Sequence, residues 1–473
     1  MQNSIQNKDA KIMRIREKNI ALYHLLAKCI KSVNSQKAFR LNLSAHNLGD
    51  SIQIFMPAVQ NNHFLLELNL ASNRITDSAL VPFTQFLGFE KLRILKLQNN
   101  LFGVNALKML LAKIAQSGAV QVLDLSRNRL HDCLGVISQF LSNHRSLQDL
   151  RLNFIATSQN VAKSAELDEF VQMFKTIIPL QRLELNGNSF LIQVGFLSEI
   201  ISCKKLNHLK IDEIGFGSEN IGELCMLLEK NQLLKVLHIA GNNYTSPDLI
   251  QLLDKISWHL MLGDLNLSNY QFTEEVCQKL SSLLKNESIY KLSLCKTGIK
   301  DEYLNILSDS LSKCQSLQYL NMDSNLFTDE AVINLCTKFG AQFEFDKMMA
   351  SPINPLKKTP KESRFISLDS NETFTESEQN EEEKGIGFEK KRRKEGFIEI
   401  SMQNNNLTDE SASALTKLLP MNLRNLKHLK MLNLCGCNIQ AKGISQFRKS
   451  LIERAKNPAL SKLEILLEKP SDE

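Results

Sequence analysis

Residues 65–77 read LLELNLASNRITD, and the same pattern returns along the chain. LRILKLQNNLF begins at Leu92, VQVLDLSRNRL at Val120, LQRLELNGNSF at Leu180, LKVLHIAGNNY at Leu234 and LQYLNMDSNLF at Leu317. All fit LxxLxLxxNx(L/I/F). Counted by the fourth position, the units fall at Leu41, Leu68, Leu95, Leu123, Leu150, Leu183, Leu209, Leu237, Leu265, Leu292, Leu320, Ile400 and Leu432, and Leu463 opens a truncated one. Most gaps are 26–28 residues, but 33 separate Leu150 from Leu183, 80 separate Leu320 from Ile400, and the last two are 32 and 31. A phase held over so many units predicts a solenoid, in which each unit packs only on its neighbours.

The consensus has a physical cause. In LxLxx, leucines alternate with polar residues at period two, the pattern of a short strand with one buried face. The ninth position lies where the strand turns away, and an Asn amide there can satisfy backbone groups that lose their ladder partners. It is Asn at 73, 100, 128, 188, 242, 325 and 405, and otherwise His46, Ile155, Ile214, Tyr270, Thr297 or Cys437. Ile and Tyr offer no such amide, so repeats 5, 7 and 9 are expected to be irregular. The second half of each unit reads as helix. TDSALVPFTQFLGF, TEEVCQKLSSLLKN, TDEAVINLCTKFG and TDESASALTKLLP open on N-capping Thr and continue with apolar residues at helical spacing.

A strand plus a full helix in about 28 residues resembles the ribonuclease-inhibitor-type leucine-rich repeats, over residues 38–345 and 397–467. The resemblance implies an α/β solenoid, a horseshoe with a parallel β-sheet on the concave face, helices on the convex face, and about 13 repeats plus caps. It says little of function.

The remaining segments are expected to serve the stack. Residues 1–37 place Ile12, Ile15, Leu22, Leu25, Leu26, Cys29, Ile30 and Val33 at helical spacing, which predicts an N-terminal cap helix. Residues 1–40 also carry nine bases and two acids, leaving 48 against 49 elsewhere, so the formal +6 belongs to one end. That end could dock on an acidic surface such as tubulin or anionic lipid. Residues 346–396 do not repeat, have few large apolar side chains and balance eleven acids with eleven bases, the composition of a disordered charged insertion. It reads as a solvated insertion, as a regulatory segment phosphorylated at Ser351-Pro352 and Thr359-Pro360, or as nuclear import through Lys390–Lys394. Residues 397–473 continue the solenoid and its C-terminal cap. The extra residues near 153–166 predict a bulge at the rim, a candidate recognition loop.

Composition bounds the function. Apolar residues make up 43% and no stretch approaches 18 uncharged apolar residues, so a large core is expected and a membrane span is not. Ten scattered cysteines suggest a reducing compartment, and a cytoplasmic location is expected. No phosphate-binding loop, nucleophile elbow or HExxH occurs, no cofactor is implied, and Cys435-Gly-Cys437 reads as structural rather than half a metal site. A metal or general-base role for His208 and His238 is disfavoured, because they fall in different columns.

Positions 3, 5 and 7 of each unit should face out on the concave side. Bases there are Arg40, Lys96, Arg151, Arg182, Lys210 and Lys291, against acids Glu67, Asp124, Asp149, Glu184, Asp212, Asp264, Asp323 and Glu399. Such a mixed surface lacks the basic stripe of a nucleic-acid groove and suits a protein partner. The candidate contact residues are Arg151, Phe154, Arg182, Glu184, Lys210, Asp212, His238, Asp264, Tyr270, Lys291, Tyr319 and Asp323. A non-enzymatic interaction scaffold is expected, similar to cytoskeletal and axonemal adaptors built almost wholly of such repeats. Two alternatives stand beside it. One resembles the Ran GTPase activators, although the acidic tail usual after their repeats is replaced here by LEKPSDE; Arg74 would then be the exposed arginine near the partner. The other is a pathogen effector that binds a host protein.

Overall fold

The computed structural model describes residues 39–55, 64–86, 90–156, 165–175, 179–193, 195–350 and 396–467. The expected N-terminal cap helix, the core of the rim bulge and residues 351–395 of the insertion lie outside the described residues. Fourteen three-residue strands form one open sheet in strict chain order. They are β1 (Arg40–Asn42), β2 (Glu67–Asn69), β3 (Ile94–Lys96), β4 (Val122–Asp124), β5 (Asp149–Arg151), β6 (Arg182–Glu184), β7 (His208–Lys210), β8 (Val236–His238), β9 (Asp264–Asn266), β10 (Lys291–Ser293), β11 (Tyr319–Asn321), β12 (Glu399–Ser401), β13 (Met431–Asn433) and β14 (Glu464–Leu466). Every pairing is parallel, and the fourth-position residues align one on the next from Leu41 to Leu432; at the end Leu432 pairs with Ile465 rather than Leu463, so the last unit begins two residues later than the sequence count placed it. Helices such as Val104–Ser117, Ser246–Ser257 and Asp301–Lys313 connect the strands and pack against their neighbours in the stack. The chain is a leucine-rich-repeat solenoid in architecture, with the sheet on the concave face.

The alternation works as its physics requires. The central strand residues, Leu68, Leu123, Leu150, Leu237 and Leu265 among them, are fully buried against helix residues in one continuous apolar core. Trimming Leu237 or Leu265 to Ala should cost roughly 2–5 kcal/mol. In repeats 11–13 the packing is less complete. An apolar cavity of about 30 Å3 is lined there by Leu320, Met322, Phe339, Met402, Leu418 and Leu432, among others.

Three side-chain columns tie each repeat to the next. The first is the Asn column. Asn100 Oδ1 accepts from the backbone of Asn73 (3.1 Å) and Ile75 (3.0 Å), while its Nδ2 donates to Leu70 and Leu97 carbonyls. The second runs through position 7. Asn153 Oδ1 accepts from Asn186 N (2.9 Å), Asn186 Oδ1 from Asp212 N (2.8 Å) and Asp212 Oδ1 from Ala240 N (2.6 Å). The third uses the Asp that opens a helix, after Thr76, Lys300 or Thr328, and reaches beyond its own helix. Asp77 Oδ1 accepts from Gly103 N (2.6 Å), Asp301 from Thr328 N (2.6 Å) and Asp329 from Thr408 N (2.8 Å), each capping the next repeat's helix start.

The expected irregularity of repeats 5, 7 and 9 does not reach their strands. Leu150, Leu209 and Leu265 are fully buried and their strands pair in register. Tyr270 is 4% exposed and its hydroxyl donates to the Ile239 carbonyl, doing part of the work of the missing amide. Ile155 and Ile214 are simply buried, and the next repeat's Asn188 and Asn242 accept from their backbone N–H groups. The stack also continues across the long gap. The β11 and β12 strands pair, Asn325 N donates to Asn405 Oδ1 (3.0 Å), and Asp329 holds Thr408 and Ser411. The helix Asp329–Ala350 before the gap runs 22 residues, against 10–15 for most of its neighbours.

Candidate functional site

The charged side chains of the concave face gather on its central strands. At β5–β7, Arg151 clasps Asp149 through Nη2 (2.9 Å) and Nε (3.1 Å). Arg182 Nε lies 3.3 Å from Asp149 Oδ2, and its Nη1 lies 3.4 Å from Glu184 Oε1. Glu184 is the hub of this group. Its carboxylate also meets His208 Nε2 (3.3 Å), Lys210 Nζ (3.7 Å) and Arg151 Nε (3.9 Å), and Asn153 Nδ2 donates to it (3.1 Å). Two strands on, Asp264 takes His238 Nε2 (3.1 Å) and Lys291 Nζ (3.7 Å).

Parallel register makes these contacts possible. Residues at the same position of successive strands stand one strand spacing apart, roughly 4.8 Å, so opposite charges in adjacent columns pair across strands. Titration follows the geometry. Burial alone would raise the Glu184 pKa, but the His208 hydrogen bond and the nearby Lys210 and Arg151 charges outweigh it and hold the carboxyl well below its usual range. Burial lowers the His208 pKa to about 4, helped by Arg182 and Lys210 and opposed by Glu184, so the imidazole is neutral at pH 7. Burial raises Asp212, whereas Asp264 is lowered because His238 and Lys291 overcome its burial.

Ser146 Oγ lies 3.5 Å from His144 Nε2, but that nitrogen already meets the Val120 carbonyl at 2.7 Å. Buried thiols such as Cys203 and Cys277 are pushed up to about 12 by their apolar surroundings, away from the reactive thiolate. Among the described residues no three His, Cys, Asp or Glu side chains are gathered as a metal site would need, and no helix is long and apolar enough to cross a membrane. Cys437 takes the ninth position, with its Sγ 3.4 Å from the Met402 carbonyl.

A family model described as Leucine Rich repeat matches residues 61–83 and 313–336. Mouse ribonuclease inhibitor is 24% identical over 315 residues, covering 59% of this chain and 68% of that protein. Together these matches support a leucine-rich-repeat family of the ribonuclease-inhibitor type for this chain. Leucine-rich-repeat proteins generally mediate protein–protein interaction, and folds like that of ribonuclease inhibitor are typically non-enzymatic binding scaffolds. The Rho GTPase-activating protein gacW of Dictyostelium discoideum is 23% identical over 350 residues, 65% of this chain but 31% of that protein. Mouse NACHT, LRR and PYD domains-containing protein 14 is 27% identical over 156 residues, 32% of this chain and 16% of that protein. The chain thus spans about a third and a sixth of these last two relatives. Among solved structures, an internalin (inlF) from Listeria monocytogenes aligns over 95% of this chain and 94% of its own, at 16% identity and a TM-score of 0.36.

In this leucine-rich-repeat chain the candidate contact residues divide into several groups. Arg151, Arg182, Glu184 and Lys210 come together in one network, and His238, Asp264 and Lys291 in a second. Asp212 and Asp323 sit on the same face but are occupied with the scaffold, Asp323 Oδ1 accepting from Ser401 Oγ (2.6 Å) and Gln403 N (2.7 Å). Tyr319 lies half-buried on β11, beyond the charged strands. Two aromatics need correcting. Tyr270 is in the buried ladder, not on the surface, because it occupies the ninth position. Phe154 is at the eighth position, on the turn, with φ +54°, its ring under the Arg127 guanidinium at 4.6 Å.

Phe154 belongs to a column that the sequence reading missed. The eighth residue of all thirteen full units has positive φ: Ala45, Ser72, Asn99, Arg127, Phe154, Gly187, Glu213, Gly241, Asn269, Lys296, Ser324, Asn404 and Gly436. The repeated Gly and Asn were a signal for it, since these residues tolerate the left-handed region best. Asn153 was missed too, because position 7 was read only as surface.

Proposed function

We propose that the chain is a non-enzymatic scaffold that binds a protein partner on the concave face, centred on β5–β10. The observation that carries this reading is the network around Glu184 and Asp264, where polar side chains are held in fixed positions by one another. Surfaces set in advance lose little conformational entropy on binding, so more of the contact energy appears as affinity. The three interlocking columns hold the curvature that such a surface needs. A cytoplasmic setting, with cytoskeletal or ciliary components as the partners, is part of the proposal. The 1–40 segment supplies a second, basic contact.

The test is affinity purification of the tagged full chain from its native cells, with chemical cross-linking and mass spectrometry. Lys210→Glu/Lys291→Glu, which leaves the core untouched, is run in parallel. Cross-links converging on β5–β10, lost in the double variant, are expected. Each pulldown is repeated with a non-hydrolysable GTP analogue. The match to gacW makes GTPase activation the competing reading. Recovery of one small GTPase only in its GTP form, with cross-links at Arg74, would replace the scaffold reading.

A further inference from the structure

On the central strands the acids lie beneath the bases. The side chains of Asp149, Glu184 and Asp264 are 12%, 9% and 11% exposed, whereas Arg151, Arg182, Lys210 and Lys291 are 27%, 30%, 25% and 45% exposed. The count of charges is nearly neutral, but the arrangement is layered, with carboxylates in the floor and cations on top. The floor is also saturated. Glu184 meets five partners, Asp149 two arginines, and Asp264 a histidine and a lysine.

The top layer keeps open donors. Among the described residues, Arg151 spends Nε and Nη2 on Asp149 and leaves Nη1 unengaged. Arg182 uses Nε and Nη1 and leaves Nη2. Lys210 and Lys291 each face a carboxylate at 3.7 Å, an ion pair too long for a hydrogen bond. Resting on the scaffold reading above, the geometry points to an acidic polypeptide segment as the partner, its carboxylates taken one by one by these four cations. From β5 to β10 is five strand spacings, roughly 24 Å, which about seven extended residues would cross.

The layering selects against nucleic acid. Phosphate backbones are held by a continuous positive field that releases counterions. Here each cation has a buried carboxylate within 2.9–3.9 Å, which cancels the field at a distance. What survives close up is directed N–H donation, and a carboxylate matches that in geometry and charge. The floor also holds the cations in place before the partner arrives.

The test measures fluorescence anisotropy of labelled dodecaglutamate and labelled dodecauridylate against the full chain at low salt. Three proteins are compared: the wild type, Lys210→Glu/Lys291→Glu, and a control with Lys8, Lys11, Arg14, Arg16 and Lys18 changed to Gln. Thermal melts confirm that the variants fold. Dodecaglutamate should bind the wild type more tightly than dodecauridylate does. Its affinity should fall about tenfold or more in the concave double variant, and less than half as much in the N-terminal control. Loss only in the N-terminal control would overturn the assignment. So would dodecauridylate binding as tightly with the same sensitivity to the concave variant. If dodecaglutamate fails while the cross-linked partners still depend on Lys210 and Lys291, the scaffold stands and the acidic assignment falls.

Discussion

Arg454 is the largest fully buried polar side chain described, at 2% exposure, and among the described residues no carboxylate pairs with it. Instead it donates to five backbone carbonyls: Leu419 (2.5 Å), Leu426 (2.9 Å), Lys427 (3.1 Å), Leu429 (3.3 Å) and Ser461 (3.1 Å). One guanidinium thereby pins the long turn between β12 and β13 to the last helix, Ala441–Ala455, and to the approach to β14. Arg454→Met keeps the volume and removes all five donors. Three of the orphaned carbonyls are buried, at roughly 1–2 kcal/mol each. Removing a desolvated charge, whose burial pushes its pKa down, returns roughly 1–2 kcal/mol. The net loss should be about 2–4 kcal/mol. Because each repeat leans only on its neighbours, the loss should be local. Hydrogen exchange should accelerate across 419–429 and 441–466 and stay unchanged in β5–β10. Denaturation is best followed by circular dichroism, since the single tryptophan, Trp258, is 83% exposed and far from the change in sequence. A variant within about 1 kcal/mol of wild type, with unaltered exchange at 419–429, would refute the reasoning.

Three further outcomes are expected. His208 is held neutral with a pKa near 4, below its unfolded value of about 6.5. The unfolded chain therefore takes up the proton first, and this term lowers stability as pH falls from about 6.5 to about 4; His208→Gln should flatten the denaturant midpoint in that window, and an unchanged pH profile would count against the buried neutral imidazole. Asn325 donates to Leu294 and Met322 carbonyls and accepts from Thr297 and Ile299. Asn325→Ala should cost about 2–4 kcal/mol by urea titration, and Asn325→Thr visibly less, because Thr297 already serves in that column. At Gly187 (φ +71°) a Cβ would stand 2.1 Å from the Phe154 ring, so Gly187→Ala should lower the melting temperature, and adding Phe154→Ala should recover only the steric part. Full recovery would mean that the left-handed backbone there carries no strain.

The sequence was most legible where the physics repeats. Leucine at positions 1, 4 and 6 has one solution when a strand must bury one face, and the parallel register followed. Single positions were harder. Tyr270 was read as both ladder and surface, and only the fold shows its hydroxyl reaching the Ile239 carbonyl. Only the Thr of the Thr-Asp openings was read as a cap, because one repeat cannot reveal that Asp329 caps a helix beginning 80 residues on. At the candidate site the residue types were read from register. Their layering was not, since a count of charges carries no depth and Glu184 and Lys210 look equally exposed in a period-two pattern. Arg454 was invisible for a similar reason, as an arginine near a helix end reads as solvated.

The columns that bridge the long gap bear on how this chain assembles. Asn325 meets Asn405, and Asp329 meets Thr408, at separations of 80 and 79 residues, where other neighbouring repeats meet at about 28. Ring closure grows only with the logarithm of length, so joining repeats 11 and 12 costs about 0.9 kcal/mol more than an ordinary junction. That is less than one ladder asparagine returns. Its kinetic weight is larger than its equilibrium weight, because a distant junction waits for a rarer encounter while adjacent repeats zip up. The solenoid therefore has a seam, where β1–β11 can be complete before β12–β14 joins.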